Sequence, residues 1–461
     1  MSKPKEFSSM TKDKLMTYTF IALVVIAVIT TVMWWGVFTT DLMTGAAVGW
    51  QYGLAVILNS VVAVALSLGI DFLLYKVTAD SPLNLMSAAV FGMIVSLSYT
   101  VGVPQMNTGT LLPLVAPDSL LYIALITIVG MVLFKKIQGI KGRKYVNPAA
   151  AAKLLVFLFM GLFTILIPTD HLNSSMLGVP SLAGPVGYDI VGGNGIAGFG
   201  FYVFSCFANP NVALPATVSQ NDVFNLLLIN KFHGWAGGAS SIAVIIVGIA
   251  LFVLARRYIK WRITGAYFAS VALMAVVLNF AYPGGDLLLR LGFELFIGSS
   301  IFLAFFMATD PATTPLTHMG QIIFGLGLGV LTVLIQAYLS FWGGSILALV
   351  IMNLTAPWLD KIGKQKPTTE SKEPKLPKAK TFAPEKVKTY DCIRCGACMR
   401  VCCHKLSPIL IKQAFDKMDV ETLSKLNADY CTGCGHCSFV CPARIDLRGS
   451  VLRAKAMLRQ K

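Results

Sequence analysis

Apolar segments of membrane-spanning length recur along most of this chain, and no other feature limits its fold so tightly. Ten stretches, at 17–38, 53–75, 84–103, 119–135, 148–168, 236–255, 263–281, 289–308, 320–339 and 341–357, approach the roughly 20 residues a helix needs to cross a bilayer. Within lipid the backbone must satisfy its own hydrogen bonds, so these stretches are expected to be helices. They come as five, then a long loop at 169–235, then five more. A mean hydropathy of +0.70 with only 13% charged residues excludes a soluble chain of 461 residues. The first run, Tyr18–Phe38, is longer than the core of a removable signal and lacks a small-residue cleavage site, so it reads as the first span.

The basic residues orient these spans. With the N-terminus inside, inner segments carry Lys3, Lys5, Lys12, Lys14, Lys76, Lys135, Lys136, Lys141, Arg143, Lys144, Arg256, Arg257, Lys260 and Arg262, whereas outer loops carry Lys231 and Arg290. The positive-inside rule then predicts a multi-pass protein of the cell (inner) membrane, both termini cytoplasmic, with loop 169–235 on the outer side. Two polar breaks stand at corresponding places in the halves. Asn147-Pro148-Ala149-Ala150 opens the fifth stretch and Asp310-Pro311-Ala312-Thr313 closes the eighth. A polar residue before Pro at a span end marks a capped or broken helix, and paired breaks suggest an internal repeat around a central site.

Beyond the last apolar stretch the composition changes. Residues 361–390 are rich in Lys and Pro and read as an extended, flexible linker between a membrane domain at 1–360 and a cytoplasmic domain at 391–461. Nine of the ten cysteines lie in that last domain, and eight form two runs of one pattern: Cys392, Cys395, Cys398, Cys402 and Cys431, Cys434, Cys437, Cys441, the second followed by Pro442. Cys-x2-Cys-x2-Cys-x3-Cys is the ligand spacing of two-cluster iron–sulfur domains, in which the fourth thiolate of each run serves the other cluster. The expected sets are therefore Cys392, Cys395, Cys398, Cys441 for one 4Fe-4S cluster and Cys402, Cys431, Cys434, Cys437 for the other. Gly396, Gly433 and Gly435 suit the tight loops, since glycine reaches positive φ without strain. Two structural zinc sites are the competing reading, though a third evenly spaced cysteine in each run is poorly explained by zinc. Cys403 stands where the first run would have proline and is expected to be a bystander.

Charge concentrates in the same segment. Residues 361–461 hold 21 Lys+Arg against 9 Asp+Glu. No nucleic-acid module accompanies that surplus, so a docking face for an acidic redox partner or anionic lipid is the better reading. No Gly-rich dinucleotide or phosphate fingerprint is present, so no complete NADH site is expected on this chain.

The stretches Gly142-Arg143-Lys144-Tyr145-Val146-Asn147-Pro148-Ala149-Ala150 and Phe305-Phe306-Met307-Ala308-Thr309-Asp310-Pro311-Ala312-Thr313 resemble the D subunit of the Rnf complex and the B subunit of the sodium-pumping NADH:quinone oxidoreductase. The tail, through Cys437-Ser438-Phe439-Val440-Cys441-Pro442-Ala443-Arg444-Ile445, is similar to the ferredoxin-like part of the Rnf C subunit. The resemblance implies an all-α polytopic membrane fold of about ten transmembrane helices in two five-helix repeats, closed by a bacterial-ferredoxin-like two-cluster domain. It implies an electron-transfer subunit of an ion-translocating oxidoreductase (a translocase), relaying electrons through 4Fe-4S clusters and FMN to drive Na+ or H+. The FMN would be joined by a phosphoester to a threonine of the outer side, here Thr217 in Asn211-Val212-Ala213-Leu214-Pro215-Ala216-Thr217. Asn211, Leu214 and Pro215 depart from the family's acceptor motif. A second, non-covalent flavin, other membrane and cytosolic subunits, a ferredoxin or similar low-potential donor, and membrane lipid complete that picture, without nucleic acid. Two rival functions stay open: a non-pumping conduit to an extracytoplasmic flavoprotein or reductase, and a redox-sensing channel or transporter.

Several polar residues inside or beside the spans also bear on function. Asp71 and Glu294 are charges in apolar stretches, either functional or paired, Asp71 at a helix end and Glu294 one turn from Arg290. Lys153 faces the central site or snorkels. Thr313 and Thr314 are expected to line a site on the inner side. His233 and Trp235 read as interfacial anchors and Cys206 as a buried free thiol.

Overall fold

The computed structural model describes residues 10–36, 39–40, 47–48, 51–77, 83–99, 118–137, 144–162, 227–229, 235–281, 287–296, 300–339, 344–362 and 389–459. Each of the ten apolar stretches holds a helix: α1 (Lys12–Met33), α2 (Tyr52–Val77), α3 (Leu85–Leu97), α4 (Asp118–Val129, continuing as a π-helix Gly130–Ile137), α5 (Pro148–Leu162), α6 (Ser241–Leu254), α7 (Trp261–Ala281), α8 (Leu287–Phe296) with α9 (Ser300–Phe302, continuing as a π-helix Leu303–Met307), α10 (His318–Leu339) and α11 (Gly344–Leu359). Among the described residues five of these are long and apolar enough to cross a bilayer alone. α8 and α9 are bent by 57° and count as one span only if taken together, while α3, α6 and α11 are shorter apolar helices. A two-residue antiparallel pair, Thr39–Thr40 with Ala47–Val48, is the strand content of the described residues. The chain is an all-α, multi-pass membrane protein.

Local sequence sets the helix ends. Thr11 Oγ1 accepts from Lys14 N at 3.2 Å and Ser240 Oγ from Ala243 N at 3.4 Å, the capping expected of hydroxyl residues before a first turn. At α5 Asn147 is the cap: its Oδ1 accepts from Ala149 N and Ala150 N at 3.1 and 3.2 Å, and Pro148 fills the first position, where no N–H is needed. Asp310 does similar work after α9, with Oδ1 accepting from Ala312 N at 3.1 Å. The two polar breaks meet, because Asn147 Nδ2 donates to the Met307 carbonyl at 3.2 Å.

Small residues bring the helices together. A Cβ at Gly325 would lie 2.5 Å from the Ile263 carbonyl, and one at Gly329 would lie 2.8 Å from the Tyr267 carbonyl, so α10 and α7 touch backbone to backbone. One continuous core runs through both halves, from Leu23 and Ile26 of α1 to Leu349 and Met352 of α11. Val32, Val253, Phe280 and Trp358 remain exposed on the outside of the bundle, which gives the helices the all-round apolarity of a lipid-facing surface.

The tail folds into five short helices: α12 (Ala397–Arg400), α13 (Pro408–Asp416), α14 (Val420–Lys425), α15 (His436–Phe439) and α16 (Leu447–Arg459). α13, α14 and α16 enclose Leu406, Ile411, Leu423, Val451 and Ala454 in a core of the tail's own. The tail packs on the membrane half. Lys12 N, at the start of α1, donates to the Pro442 carbonyl at 2.9 Å, and Asp360, just past α11, pairs with Arg394 at 2.7 Å. The beginning of α1 and the end of α11 therefore lie on one face.

Candidate functional site

The two cysteine runs fold as near copies offset by 39 residues. Gly396 and Gly435 take φ of 71° and 83°, Arg394 and Gly433 take 52° and 75°, and Lys405 and Arg444 take 56° and 53°. Arg394 N points at Cys392 Sγ at 3.3 Å, and Gly433 N points at Cys431 Sγ at 3.4 Å. Positive φ at these positions turns the chain sharply enough for three thiols of one run to line the same void. The loop conformation expected of Gly396, Gly433 and Gly435 is present. Arg394 holds the same conformation with a side chain, at a cost of about 1 kcal/mol or more that glycine avoids.

The thiols gather in two groups. Cys392, Cys395, Cys398 and Cys441 line one small void with Ile409, Ile445 and Leu447. Cys402, Cys431, Cys434 and Cys437 line the other, with Cys403 beside them. Each void therefore takes three thiols from one run and the fourth from the other. Cys395, Cys398, Cys437 and Cys441 are buried, Cys392 is exposed, and Cys402, Cys403, Cys431 and Cys434 are half-buried. Burial, helped by the neighbouring thiols, pushes Cys395 and Cys437 up to about 12 and raises Cys398 as well. Such thiols stay protonated unless a cation replaces the proton, so metal loading must release protons. The thiols line two small spaces of ≈ 20 Å³ each. Three thiols from one evenly spaced run with a fourth from the other is the ligand set of a 4Fe-4S cluster rather than of one tetrahedral zinc. Cys403 is closer to the second group than a bystander need be, with Sγ 3.8 Å from Cys434 Sγ.

A larger space lies inside the membrane half, between its two sets of helices. It is a partly open cavity of ≈ 130 Å³. Phe91, Phe305, Phe306 and Tyr258 supply aromatic walls, and Lys135, Lys144, Asn147, Thr309 and Asp310 supply polar groups. Apolar walls with a few convergent polar groups are what a cofactor or small-molecule pocket requires. The paired breaks at Asn147 and Asp310 both face this cavity, as the repeat reading expected of a central site.

The intramembrane charges have structural partners. Asp71 Oδ1 lies 2.6 Å from Lys136 Nζ, and its Oδ2 accepts from Asn84 N at 2.9 Å. That is the paired helix-end role rather than a bare charge. Lys153 is buried beside the central site rather than lining it: Nζ donates to the Ser98 carbonyl, to Ser98 Oγ at 2.6 Å, and sits 4.7 Å from the centre of the Trp235 ring. Trp235 is not an interfacial anchor. It is buried against Phe302, an edge-on ring contact at 6.1 Å, with Lys153 Nζ over its ring, because a large aromatic side chain gains most from packing inside the bundle. Thr313 Oγ1 donates to Asp310 Oδ2 at 3.3 Å, and Thr314 Oγ1 accepts from Lys260 Nζ at 2.9 Å, so both brace the break. Arg290 and Glu294 are both buried, one turn apart. Thr217, Cys206 and His233 lie outside the described residues.

Sequence reasoning gave Arg394 and Asp360 no role and read Lys260 only as one of the inner basic residues. Lys260 Nζ donates to the carbonyls of Pro311 and Thr314 and to Thr314 Oγ1, each at 2.9 Å, fastening α7 to the loop after α9. One signal was available for Arg394: superposing the two cysteine runs places it opposite Gly433, where a side chain is the unfavoured choice.

The family described as NQR2, RnfD, RnfE matches residues 2–369, and the 4Fe-4S dicluster domain matches residues 391–445. The D subunit of the ion-translocating oxidoreductase complex of Methanosarcina acetivorans is 30% identical over 242 residues, covering 50% of this chain and 79% of that one. Its counterpart from Aeromonas salmonicida is 27% identical over 251 residues, covering 52% and 69%. The B subunit of the Na(+)-translocating NADH-quinone reductase of Ectopseudomonas mendocina is 28% identical over 259 residues, covering 55% and 58%.

Proposed function

From the premise that this chain belongs to the NQR2, RnfD, RnfE family and carries a 4Fe-4S dicluster domain at its C-terminal end, we propose that it is the electron-transfer subunit of a membrane-bound, ion-translocating oxidoreductase complex resembling Rnf. The observation that carries this reading is the pair of four-thiol groups seated against an apolar, cavity-bearing membrane half. Cys392, Cys395, Cys398 and Cys441 hold one cluster, and Cys402, Cys431, Cys434 and Cys437 hold the other. Bound clusters supply one-electron transfer without proton chemistry at the metal. The chain's share is to exclude water from the buried thiolates and to set hydrogen bonds to sulfur, such as those from Arg394 N and Gly433 N, which tune potential.

In this reading Thr217, on the outer loop, carries FMN through a phosphoester. The central cavity takes a second, non-covalent flavin: Phe91, Phe305 and Phe306 offer ring contacts, and the amino groups of Lys135 and Lys144 offer donors to the negative charge that a reduced flavin carries. The tail-bearing face is cytoplasmic, and the basic tail meets a ferredoxin or similar acidic, low-potential donor. Residues 1–360 and 391–461 act as two domains on a 361–390 linker, and Na+ or H+ movement is completed by companion subunits in the cell membrane.

Peptide mass spectrometry across 201–231 of the purified chain tests the flavin assignment. An FMN adduct on Thr217, absent in Thr217→Val, is expected from a host that flavinylates other proteins. An unmodified Thr217 from such a host would remove the covalent flavin and leave the cluster relay to be judged by iron content.

A further inference from the structure

Arg394 and Asp360 form a buried ion pair between the tail and the membrane half, with side chains 4% and 6% exposed. Arg394 Nη2 donates to Asp360 Oδ2 at 2.7 Å, and Asp360 Oδ1 accepts from Leu316 N, also at 2.7 Å. A buried charge that loses its partner is strongly disfavoured, so the two groups are either joined or both hydrated; half-formed docking is not stable. Arg394 also occupies a left-handed backbone position at which the equivalent residue of the second run is Gly433. Strain kept at one copy of a repeated loop, and not at the other, indicates that the side chain is required there.

We propose that this pair latches the cluster tail into one seat on the membrane half, and that the seat sets the direction of electron flow: in at the second thiol group, out from the first toward the central cavity. The inference rests on the cluster assignment above and adds the order of transfer. Around the latch the contacts come from the first run together with residues 437–443 of the second, which supply the first group's fourth thiol, Cys441. Ile393 and Cys395 share an apolar cluster with Leu15 and Tyr258 of the membrane half, and Cys398 and Cys441 share another with Leu316. Pro442 O accepts from Lys12 N, and Arg400 donates to the Arg257 carbonyl. Leu15 and Tyr258 line the central cavity as well, so one layer of side chains stands between the first thiol group and that space.

The second group has fewer such contacts. The core beside it is built from tail residues alone, and Cys402, Cys431 and Cys434 are half-buried, although Cys392 of the first group is itself exposed and lies outside the latch's apolar clusters. Cys437 shares its apolar cluster with Cys398, Cys441 and Leu316, so the two groups are neighbours and the second reaches the membrane half through this one ligand. One electron enters at the second cluster, oxidising a soluble one-electron donor protein. One electron leaves the first, reducing a flavin-class acceptor on the membrane half. No bond is made or broken and no proton moves at either cluster.

Two measurements on the full, cluster-loaded chain in phospholipid nanodiscs test this. Hydrogen exchange reads the seat: Asp360→Lys should speed exchange about tenfold or more at 10–16, 255–262 and 393–401 while leaving 447–459 unchanged. Leu316→Glu, also on the membrane side, should do the same if Asp360→Lys does not fold. Oxidation of the reduced chain by ferricyanide, followed by electron paramagnetic resonance, reads the order, with signals assigned by Cys441→Ser and Cys431→Ser. The second cluster should bleach first, and the difference should vanish in Asp360→Lys. Unchanged exchange in both variants would overturn the seat, and earlier bleaching of the first cluster would overturn the order. A chain without cluster iron would instead sink the cluster assignment itself, and iron analysis beforehand separates the two failures.

Discussion

Asn147 donates its side-chain N–H to the carbonyl of Met307, joining the start of α5 to the end of α9 across 160 residues of chain. The same side chain caps α5 through Ala149 N and Ala150 N, so one buried amide serves both of the breaks that flank the central cavity. Asn147→Ala leaves the Met307 carbonyl and two helix N–H groups without these partners. A loss of about 1–3 kcal/mol is expected, read as a lower unfolding temperature in detergent. A variant as stable as the parent would mean that water replaces the amide.

Iron should track the thiol groups, not the cysteine count. Cys441→Ser breaks the group made with Cys392, Cys395 and Cys398 and should lower bound iron to about half, from about eight atoms per chain. Cys403→Ala should keep the full complement, although its sulfur lies 3.8 Å from that of Cys434. Loss of a cluster in Cys403→Ala would make Cys403 a ligand and displace one of the four assigned to the second group.

Lys260 gives the interface a pH dependence. Burial, reinforced by nearby Arg394 and opposed by Asp360, Cys395 and Asp310, pushes its ammonium down to about 7. The unfolded chain titrates this group at its ordinary value of 10.5, so between those values the folded state holds fewer protons. Stability from this group therefore rises as pH increases through that window, and its full penalty is felt below about pH 7. Thermal unfolding across the same range should show a shallower rise for Lys260→Met than for the parent. Parallel curves would place the proton elsewhere.

Close packing of α7 on α10 depends on two glycines. Gly325→Leu and Gly329→Leu would each drive a side chain into the α7 backbone, at Ile263 or Tyr267. Each should cost about 1–3 kcal/mol from overpacking, whereas Gly265→Ala, with nothing within 4 Å of its added Cβ, should be close to neutral. Equal effects at all three sites would show that helix propensity, not the α7–α10 contact, governs this region.

Much of this protein was legible in order along the chain. Continuous apolar runs could only be membrane helices, because lipid offers the backbone no other partner, and a helix stands in each of the ten stretches. The cysteine spacing determined which thiols could meet, since gaps of two residues and a glycine turn are local geometry. Asn147-Pro148 and Asp310-Pro311 could be read as breaks for the same reason. What the chain order does not contain is which distant groups neutralise one another. Asp71 was legible as a charge but its pairing with Lys136 was not, and Trp235 was misplaced because the residues it packs on, Lys153 and Phe302, are 82 and 67 positions away in sequence. The pairing of Arg394 with Asp360, the three acceptors around Lys260, and the wall of Leu15 and Tyr258 shared by thiols and cavity were decided only by the tertiary structure. Burial makes an unpartnered charge costly, and only the folded chain determines what is buried beside it.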